Sequence, residues 1–158
     1  MNPFELAPAV RLRSAYLHMH RAVNGRLRPF GVTADQFVVL RFLAEEDGIS
    51  QKDLVRLCSS DPTTIGRMLE LLEDKGCVQR RPDPDDGRSR LVFLTTRGRN
   101  LCKRLYDATA PIRQVFENAV EANALQSMLD ALQKLADAFA VNPELSPEFR
   151  PDESGSLK

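Results

Sequence analysis

The chain has 158 residues, of which 22 are basic and 22 acidic, so its formal net charge is zero. This length fits one domain with an appendage, and 42% hydrophobic residues are enough for a core. Because there is no run of about 18 apolar residues and no basic start followed by an apolar block, we expect neither a membrane span nor a secretory signal. Three cysteines without CxxC spacing argue against a disulfide framework or zinc site and favour the reducing cytoplasm.

The charges are unevenly distributed along the chain. Residues 1–31 contain five arginines and one glutamate, and residues 96–116 contain five basic residues and one acidic residue. Residues 117–158 contain eight acidic and three basic residues. A locally positive face is therefore compatible with a net charge of zero.

Two helices are predicted at the start of the chain. Apolar residues at spacings of three and four indicate a helix over about residues 5–28, which Pro29 and Gly31 end. Thr33, with Gln36 three residues later, forms a capping box that begins the second helix.

Two shorter helices follow, joined by a tight turn. Ser50 begins the third helix, and the residues predicted on its buried side are Leu54, Leu57 and Cys58. Asp61 as N-cap and Pro62 at the first helical position begin the fourth helix, which Gly76 ends.

The second half of the chain begins with a predicted hairpin. The alternating runs CVQRR and RLVFLT flank PDPDDG, whose proline, aspartate and glycine residues form turns. Thr95 or Thr96 begins a fifth helix to about residue 119, bent near Pro111. A sixth helix with one apolar stripe follows Asn123. Residues 142–158 have the composition of a disordered tail.

This order of elements predicts a mainly α-helical fold with a small β-hairpin wing, a winged helix-turn-helix lobe at residues 32–95. The outer helices, in residues 1–31 and 96–141, carry apolar stripes that the rest of the chain is too short to cover. We therefore expect them to form a homodimer, with a second copy covering these stripes.

The outward face of the fourth helix has the chemistry of a nucleic-acid contact. Thr63 and Arg67 lie one turn apart, and Gly66 between them leaves room for close approach. Hydroxyls at a helix N-terminus suit phosphates and base edges, and arginine suits guanine. An ordinary solvated helix face explains this stretch equally well.

Arginines also lie on both sides of the hairpin tip. Arg80 and Arg81 precede the tip, and Arg88 and Arg90 follow it. The acidic residues among them are Asp83, Asp85 and Asp86. An acid beside an arginine can hold the guanidinium in one rotamer, and an arginine fixed in this way can enter a narrow minor groove. We therefore expect the acids to orient the arginines.

The stretches SQKDL and DPTTIGRMLELLEDKGCVQRRPDPDDGRSRLVFLTTRG contain four motifs: D-x-x-T-x-x-R, L-E-x-K-G, D-P-x-D-x-R and L-T-x-x-G. As a set these motifs resemble the MarR family of bacterial transcription regulators. The lengths and order of the outer helices extend the resemblance to about residues 5–140.

The resemblance implies a triangular homodimer that binds a palindromic site in double-stranded DNA, with each fourth helix in a major groove and each wing in an adjacent minor groove. By position, the residues that the resemblance implies as base contacts are Thr63, Thr64 and Arg67. The minor-groove arginine would be Arg88, with Asp86 bracing it. The phosphate-binding residues would be Ser50 and Gln51. The chain departs from the family pattern at Ser59, where glycine is frequent, and at Gly87, where a basic residue is frequent.

The resemblance also implies a small anionic or phenolic effector, bound between the dimer helices and the DNA-binding lobe. An aromatic acid or its coenzyme A thioester fits this analogy. The polar candidates for this site are Arg11, Arg13, His18 and His20. The two histidines are two residues apart on one helix, so they are poorly placed to share a metal, and surface or interface histidines are the simpler interpretation.

Other functional classes receive less support. Cys102 is the only cysteine that we consider for redox sensing, because Cys58 and Cys77 occupy apolar positions. PDPDDG departs from the spacing of a calcium loop, and no catalytic constellation is present. A protein-interaction module on the same scaffold stays an alternative. We predict a ligand-responsive DNA-binding regulator, a repressor, that is not an enzyme and has no cofactor.

Overall fold

The computed structural model of the protein describes residues 3–141, so the predicted tail at residues 142–158 lies outside the described residues. The helices are α1 (Pro3–Leu27), α2 (Ala34–Glu45), α3 (Gln51–Leu57), α4 (Pro62–Asp74), α5 (Thr96–Ala108), α6 (Ala110–Ala119) and α7 (Ala122–Val141). A 3₁₀ turn, Arg28–Phe30, links α1 to α2. The strands are β1 (Ile49–Ser50), β2 (Val78–Pro82) and β3 (Arg90–Leu94).

The predicted fold class is confirmed: the protein is mainly helical, with a small antiparallel sheet in the order β1-β3-β2. The predicted hairpin is the β2–β3 pair, with Val78 opposite Leu94 and Pro82 opposite Arg90. Strand β1 was not predicted because two residues show no alternation, and it pairs with β3 through Ile49 and Val92.

The predicted starts of α2, α4 and α5 are confirmed by their hydrogen bonds. Thr33 and Gln36 make both bonds of a capping box at α2. Asp61 accepts from the backbone at the start of α4, and Thr95, rather than Thr96, caps α5. Each capping oxygen satisfies an amide that would otherwise lack a partner in the first turn.

The prediction that Leu57 is buried was wrong, since its exposed fraction is 39%. Helix α3 has about two turns, and its core-facing side runs through Leu54, Val55 and Cys58. Leu57 is rotated away from this line, at the C-terminal end of the helix.

The predicted fifth helix is two helices, α5 and α6, that meet at Thr109. Pro111 has no amide hydrogen to continue the helical pattern. The Thr109 hydroxyl instead lies 3.0 Å from the carbonyl oxygens of Leu105 and Tyr106, and Arg113 donates to the Tyr106 carbonyl at 2.7 Å. The sixth predicted helix begins at Ala122, so Asn123 lies inside it.

The chain divides into two compact units, with the boundary between Arg113 and Gln114. The first unit contains the core, whose fully buried members include Leu40, Leu54, Ile65, Leu69, Leu72 and Val92. In the second unit, α7 exposes Leu129, Leu132, Leu135 and Phe139. None of the helices within residues 3–141 is long and apolar enough to cross a membrane.

Candidate nucleic-acid interface

The N-terminus of α4 is held by Asp61. One carboxylate oxygen accepts the Thr64 backbone amide at 2.8 Å, and the other accepts the Thr64 hydroxyl at 2.6 Å. The hydrogen bond from the Thr64 hydroxyl is the largest cause that lowers the pKa of Asp61, followed by the backbone amide of the same residue. Thr64 therefore uses its hydroxyl hydrogen within the cap, whereas its oxygen stays an acceptor for other donors.

Thr63 and Arg67 form the exposed face of α4, as predicted. The Arg67 side chain is 71% exposed, and one Nη lies 3.4 Å from a carboxylate oxygen of Glu70. This contact is long and solvated, so it restrains the guanidinium weakly. Gly66 lies beside the Gln51 side chain, and a Cβ at that position would meet Gln51 Nε2 at 3.6 Å.

The turn before α4 places Ser59 in the left-handed region, with φ of 47°. Within residues 3–141 it is the only residue other than glycine with a positive φ. An L side chain adopts this conformation at a cost of about 1–2 kcal/mol. The turn thus has the geometry that favours glycine, although the sequence has serine there.

The start of α3 is tied together by Ser50 and Asp53. The Ser50 hydroxyl accepts the Asp53 amide at 3.0 Å and donates to the Asp53 carboxylate at 2.7 Å. The hydrogen bond from that hydroxyl is the largest single cause that lowers the pKa of Asp53, followed by the hydrogen bond from Arg56. Ser50 is therefore occupied as a helix cap, while Gln51 lies next to Gly66 of α4.

The hairpin β2–β3, with the turn between its strands, forms the wing, and two of its four arginines are held by groups outside the tip. Arg80 is paired with Glu73 at the end of α4. The Arg81 guanidinium lies 4.9 Å from the centre of the Phe93 ring on β3. Arg88 and Arg90 are exposed. The positive groups of the wing therefore differ in how firmly they are fixed.

The expectation that the wing acids orient the guanidinium groups was wrong. Asp83 accepts the Asp85 amide at 2.9 Å, and Asp86 accepts the Arg88 amide at 3.1 Å. Among the described residues, no ion pair joins these acids to a wing arginine. Carboxylates two residues before an amide form Asx turns. The acids thus shape the backbone of the tip, and Asp86 positions Arg88 through its main chain.

A cleft of about 470 Å³ connects the wing with α3 and the start of α4. Its basic and polar lining includes Gln51, Lys52, Arg88 and Arg90. The predicted residues Gln51, Asp86, Arg88 and Arg90 are therefore brought together. Lys52 was not singled out from the sequence, although its place beside Gln51 at a helix start was a usable signal.

The four residues considered for effector binding are separated by the structure. Arg11 and Arg13 are exposed on α1, and His18 Nδ1 lies 2.7 Å from the Ser14 carbonyl oxygen. His20 lines an open cavity of about 300 Å³, formed mainly by apolar side chains of α1, α2, α5 and the start of α6. The sequence did not single out Arg41, Tyr106 and Arg113, which line the same cavity.

His20, in the lining of this cavity, has one buried ring nitrogen without a hydrogen-bond partner. Asn24 accepts the Ala34 amide through Oδ1, so its Nδ2 donates to His20 Nδ1 at 3.0 Å. The other ring nitrogen, Nε2, is buried, makes no hydrogen bond and lies 3.4 Å from an Asp35 oxygen. The guanidinium groups of Arg41 and Arg113 lie over the Tyr106 ring, at 5.0 Å and 3.6 Å from its centre.

The cysteines have the surroundings of structural residues. Cys77 and Cys102 are buried, and Cys58 is half-buried. Burial is the main cause that raises the pKa of the Cys102 and Cys58 thiols. Since the thiolate is the reactive form, these surroundings disfavour oxidation. Within residues 3–141 no cluster of three metal-binding side chains is present.

The fold and this surface define a winged helix-turn-helix protein. Residues 30–89 match the family model described as MarR family. An HTH-type transcriptional repressor of Mycobacterium tuberculosis is 36% identical over 111 residues, an alignment that covers 63% of this chain and 80% of the relative. The multiple antibiotic resistance protein MarR of Escherichia coli K12 is 36% identical, with 65% of this chain and 72% of that protein covered. The chain therefore belongs to the MarR family of DNA-binding transcription regulators.

Solved structures agree with this assignment. A mutant of Escherichia coli MarR in complex with operator DNA matches with a TM-score of 0.74 and 30% identity, over 85% of this chain and 98% of that one. A MarR-family regulator from Rhodococcus matches with a TM-score of 0.76 and 25% identity, over 86% and 96%.

Proposed function

We propose that this protein is a homodimeric repressor that binds a palindromic operator through α4 and the wing, and that a small anionic effector releases it. The observation that carries the proposal is the exposed Arg67 on a firmly capped helix, beside a cleft lined by Lys52, Arg88 and Arg90. A related structure, that of Escherichia coli MarR, contains operator DNA.

In DNA binding, these residues would have different roles. Arg67 with Thr63 and Thr64 would contact base edges in the major groove, where arginine binds guanine through two hydrogen bonds. Arg88 would enter the minor groove. The remaining groups, Gln51, Lys52, Arg81 and Arg90, would contact phosphates and give most of the affinity and its salt dependence. Such a protein acts where the bacterial DNA is, in the cytoplasm.

Dimer formation is supported by the apolar side chains that the two units leave exposed. In the first unit these include Val10, Leu12 and Tyr16 on α1, and in the second Leu129, Leu132 and Phe139 on α7. A symmetric dimer would bury such residues and present two copies of α4. The two half-sites would be about one DNA turn apart, roughly 10 bp.

The effector site that we favour is the cavity beside Tyr106. Its apolar wall suits an aromatic ring, and Arg41 and Arg113 are donors for a carboxylate. An aromatic acid fits these features, and a coenzyme A thioester would need to extend outside a space of about 300 Å³.

The effector would act by stabilising a dimer in which the two copies of α4 have the wrong spacing for the operator. A coupling of about 1–3 kcal/mol would weaken DNA binding about 5- to 150-fold. The mainly apolar wall of the cavity is formed by α1, α2, α5 and the start of α6. A ligand there would therefore contact helices that precede and follow the DNA-binding lobe in the sequence.

The test is to footprint the protein on DNA adjacent to its own gene, with and without aromatic acids. We expect a symmetric footprint that a suitable acid removes. Arg113→Gln should retain the footprint and lose the response, whereas Arg13→Gln, an equal change of charge outside the cavity, should retain both. A protein-interaction module would give no footprint, and its partner binding would lack the steep salt dependence of DNA binding.

A further inference from the structure

A second basic cleft lies at the opposite end of α4 from Thr63. Its volume is about 590 Å³, and its lining includes Phe30, Lys75, Arg97, Asn100, Leu101 and Arg104. Lys75 is the C-cap of α4, and the other polar members lie on the first three turns of α5. A space of this size falls in the range of small-molecule sites, about 300–1,000 Å³.

The lining of this cleft has an unbalanced charge. It contains three cationic side chains and no acidic one. Among residues 3–141, the ion pairs of the protein involve other basic residues, such as Arg41, Arg80 and Arg99, and leave Lys75, Arg97 and Arg104 unpaired. In a chain with equal numbers of acidic and basic residues, three unpaired cations around one space favour an anionic ligand.

One of the cations packs against an aromatic ring, and a second lies close to the backbone. The Arg104 guanidinium lies 5.1 Å from the centre of the Phe30 ring. The Lys75 ammonium lies close to Gly31, 3.3 Å from the place that a Cβ would occupy. Restricting a side chain before binding lowers the entropy that a ligand must offset.

The cleft lies at the far end of α4 from the predicted base contacts. Twelve residues of helix separate Thr63 from Lys75, about 18 Å along the axis of α4. The cleft also adjoins the open end of the hairpin, where Val78 pairs with Leu94, and the wing tip is at the other end of the strands. DNA bound to the face with Arg67 and Arg88 would therefore leave this cleft free.

The chemistry of the lining fits a phosphorylated compound better than a simple carboxylate. One arginine balances a carboxylate, whereas two arginines and a lysine match the charge and the several oxygens of a phosphate ester or diphosphate. Phe30 and Leu101 offer an apolar wall to the organic part, and the Asn100 amide can both donate and accept hydrogen bonds.

We propose that this cleft, around Lys75, Arg97 and Arg104, is a second ligand site that binds an organic phosphate independently of DNA. The site is separate from the cavity beside Tyr106, and the proposal stands whether or not that cavity binds an effector.

Calorimetric titration of the full chain with ADP, pyrophosphate and adenosine in low-salt buffer tests the proposal. We expect ADP and pyrophosphate to bind and adenosine not to bind. The double substitution Arg97→Gln with Arg104→Gln should weaken ADP binding at least about tenfold, because each arginine makes a charge-assisted hydrogen bond. The control is Arg21→Gln with Arg26→Gln, which removes the same charge from exposed positions on α1 and should change ADP binding less than about twofold.

The titration is repeated with the protein saturated by a duplex oligonucleotide, and ADP affinity should be unchanged. If the double variant proves unstable, the loss of ADP affinity is measured instead with the single variant Arg97→Gln, whose position is exposed. The proposal is overturned if neither phosphate compound binds, if both double variants lose the same affinity, or if the duplex displaces ADP.

Discussion

Arg80 on β2 and Glu73 on α4 are joined by two hydrogen bonds from the guanidinium, Nη2 to Oε2 at 2.6 Å and Nε to Oε2 at 3.0 Å. The other carboxylate oxygen accepts the Arg80 backbone amide at 3.1 Å. A single carboxylate thus binds both the side chain and the main chain of the wing strand. This contact fixes the wing relative to the helix that carries Arg67.

Glu73→Gln is expected to lower the free energy of unfolding by about 1 kcal/mol at neutral pH, a modest figure because the Glu73 side chain is 38% exposed. The hydrogen bond from Arg80 lowers the pKa of Glu73 below its ordinary value of 4.5. The carboxylate therefore stabilises the fold fully above about pH 4.5, and this contribution is lost as the pH falls through the lowered pKa.

Urea unfolding of both proteins at pH 7 and at steps below pH 4.5 measures this effect. Glu70→Gln is the control, since Glu70 makes only the long contact with Arg67, and it should leave stability unchanged. A difference between the native protein and Glu73→Gln that stays constant down to the lowest pH would exclude the ionic contact as its source.

Ser59→Gly is expected to stabilise the fold by about 0.5–1 kcal/mol, because glycine removes the strain of φ 47°. Part of this stabilisation is offset because glycine also increases the conformational entropy of the unfolded chain. Ser60→Gly, the neighbouring change without a positive φ, should be neutral or destabilising. Thermal unfolding compares the two variants. Equal shifts of Tm in both would mean that the turn conformation is not the cause.

Asp86→Asn is expected to retain DNA affinity, because an amide oxygen can still accept the Arg88 backbone amide. Asp86→Ala removes the acceptor and should weaken DNA binding by about 1 kcal/mol. The pair of variants separates main-chain positioning from charge, and fluorescence anisotropy with a labelled duplex measures both. Equal loss in the two variants would instead favour an effect of the carboxylate charge on the Arg88 side chain.

Gly98→Ala is expected to destabilise the fold by about 3 kcal/mol or more. A Cβ at Gly98 would overlap the Cys77 carbonyl oxygen, where α5 crosses the end of the hairpin. Gly87→Ala is the matched change at an open position, with no atom within 4 Å, and should be close to neutral. Thermal unfolding followed by circular dichroism distinguishes the two variants. A stable Gly98→Ala variant would show that α5 does not pack so closely on the Cys77 carbonyl in solution.

Local features of the fold could be predicted because they depend on neighbouring residues. The caps at Thr33 and Asp61 and the turn-forming residues of the wing tip each act within about four positions of the chain. The strand β1 was missed because its two residues gain their structure only from pairing with β3.

The parts of the site that depend on tertiary packing could not be predicted. The partner of Arg80 is seven residues away on another element, so the nearer wing acids were chosen in its place. The cavity combines His20, Arg41 and Arg113 from distant parts of the chain, and no spacing in the sequence brings them together. Helical periodicity alone also could not determine whether the side of α1 that carries His20 faces the interior.

The central claim is that α4 and the wing bind duplex DNA through their exposed arginines. Its most direct test is the affinity of Arg67→Ala for the footprinted operator and for single-base variants of it, with Arg56→Ala on α3 as the exposed control. We expect Arg67→Ala to lose about 1–3 kcal/mol and to discriminate less between the bases at one position of each half-site. Unchanged affinity and unchanged discrimination in Arg67→Ala would contradict the account.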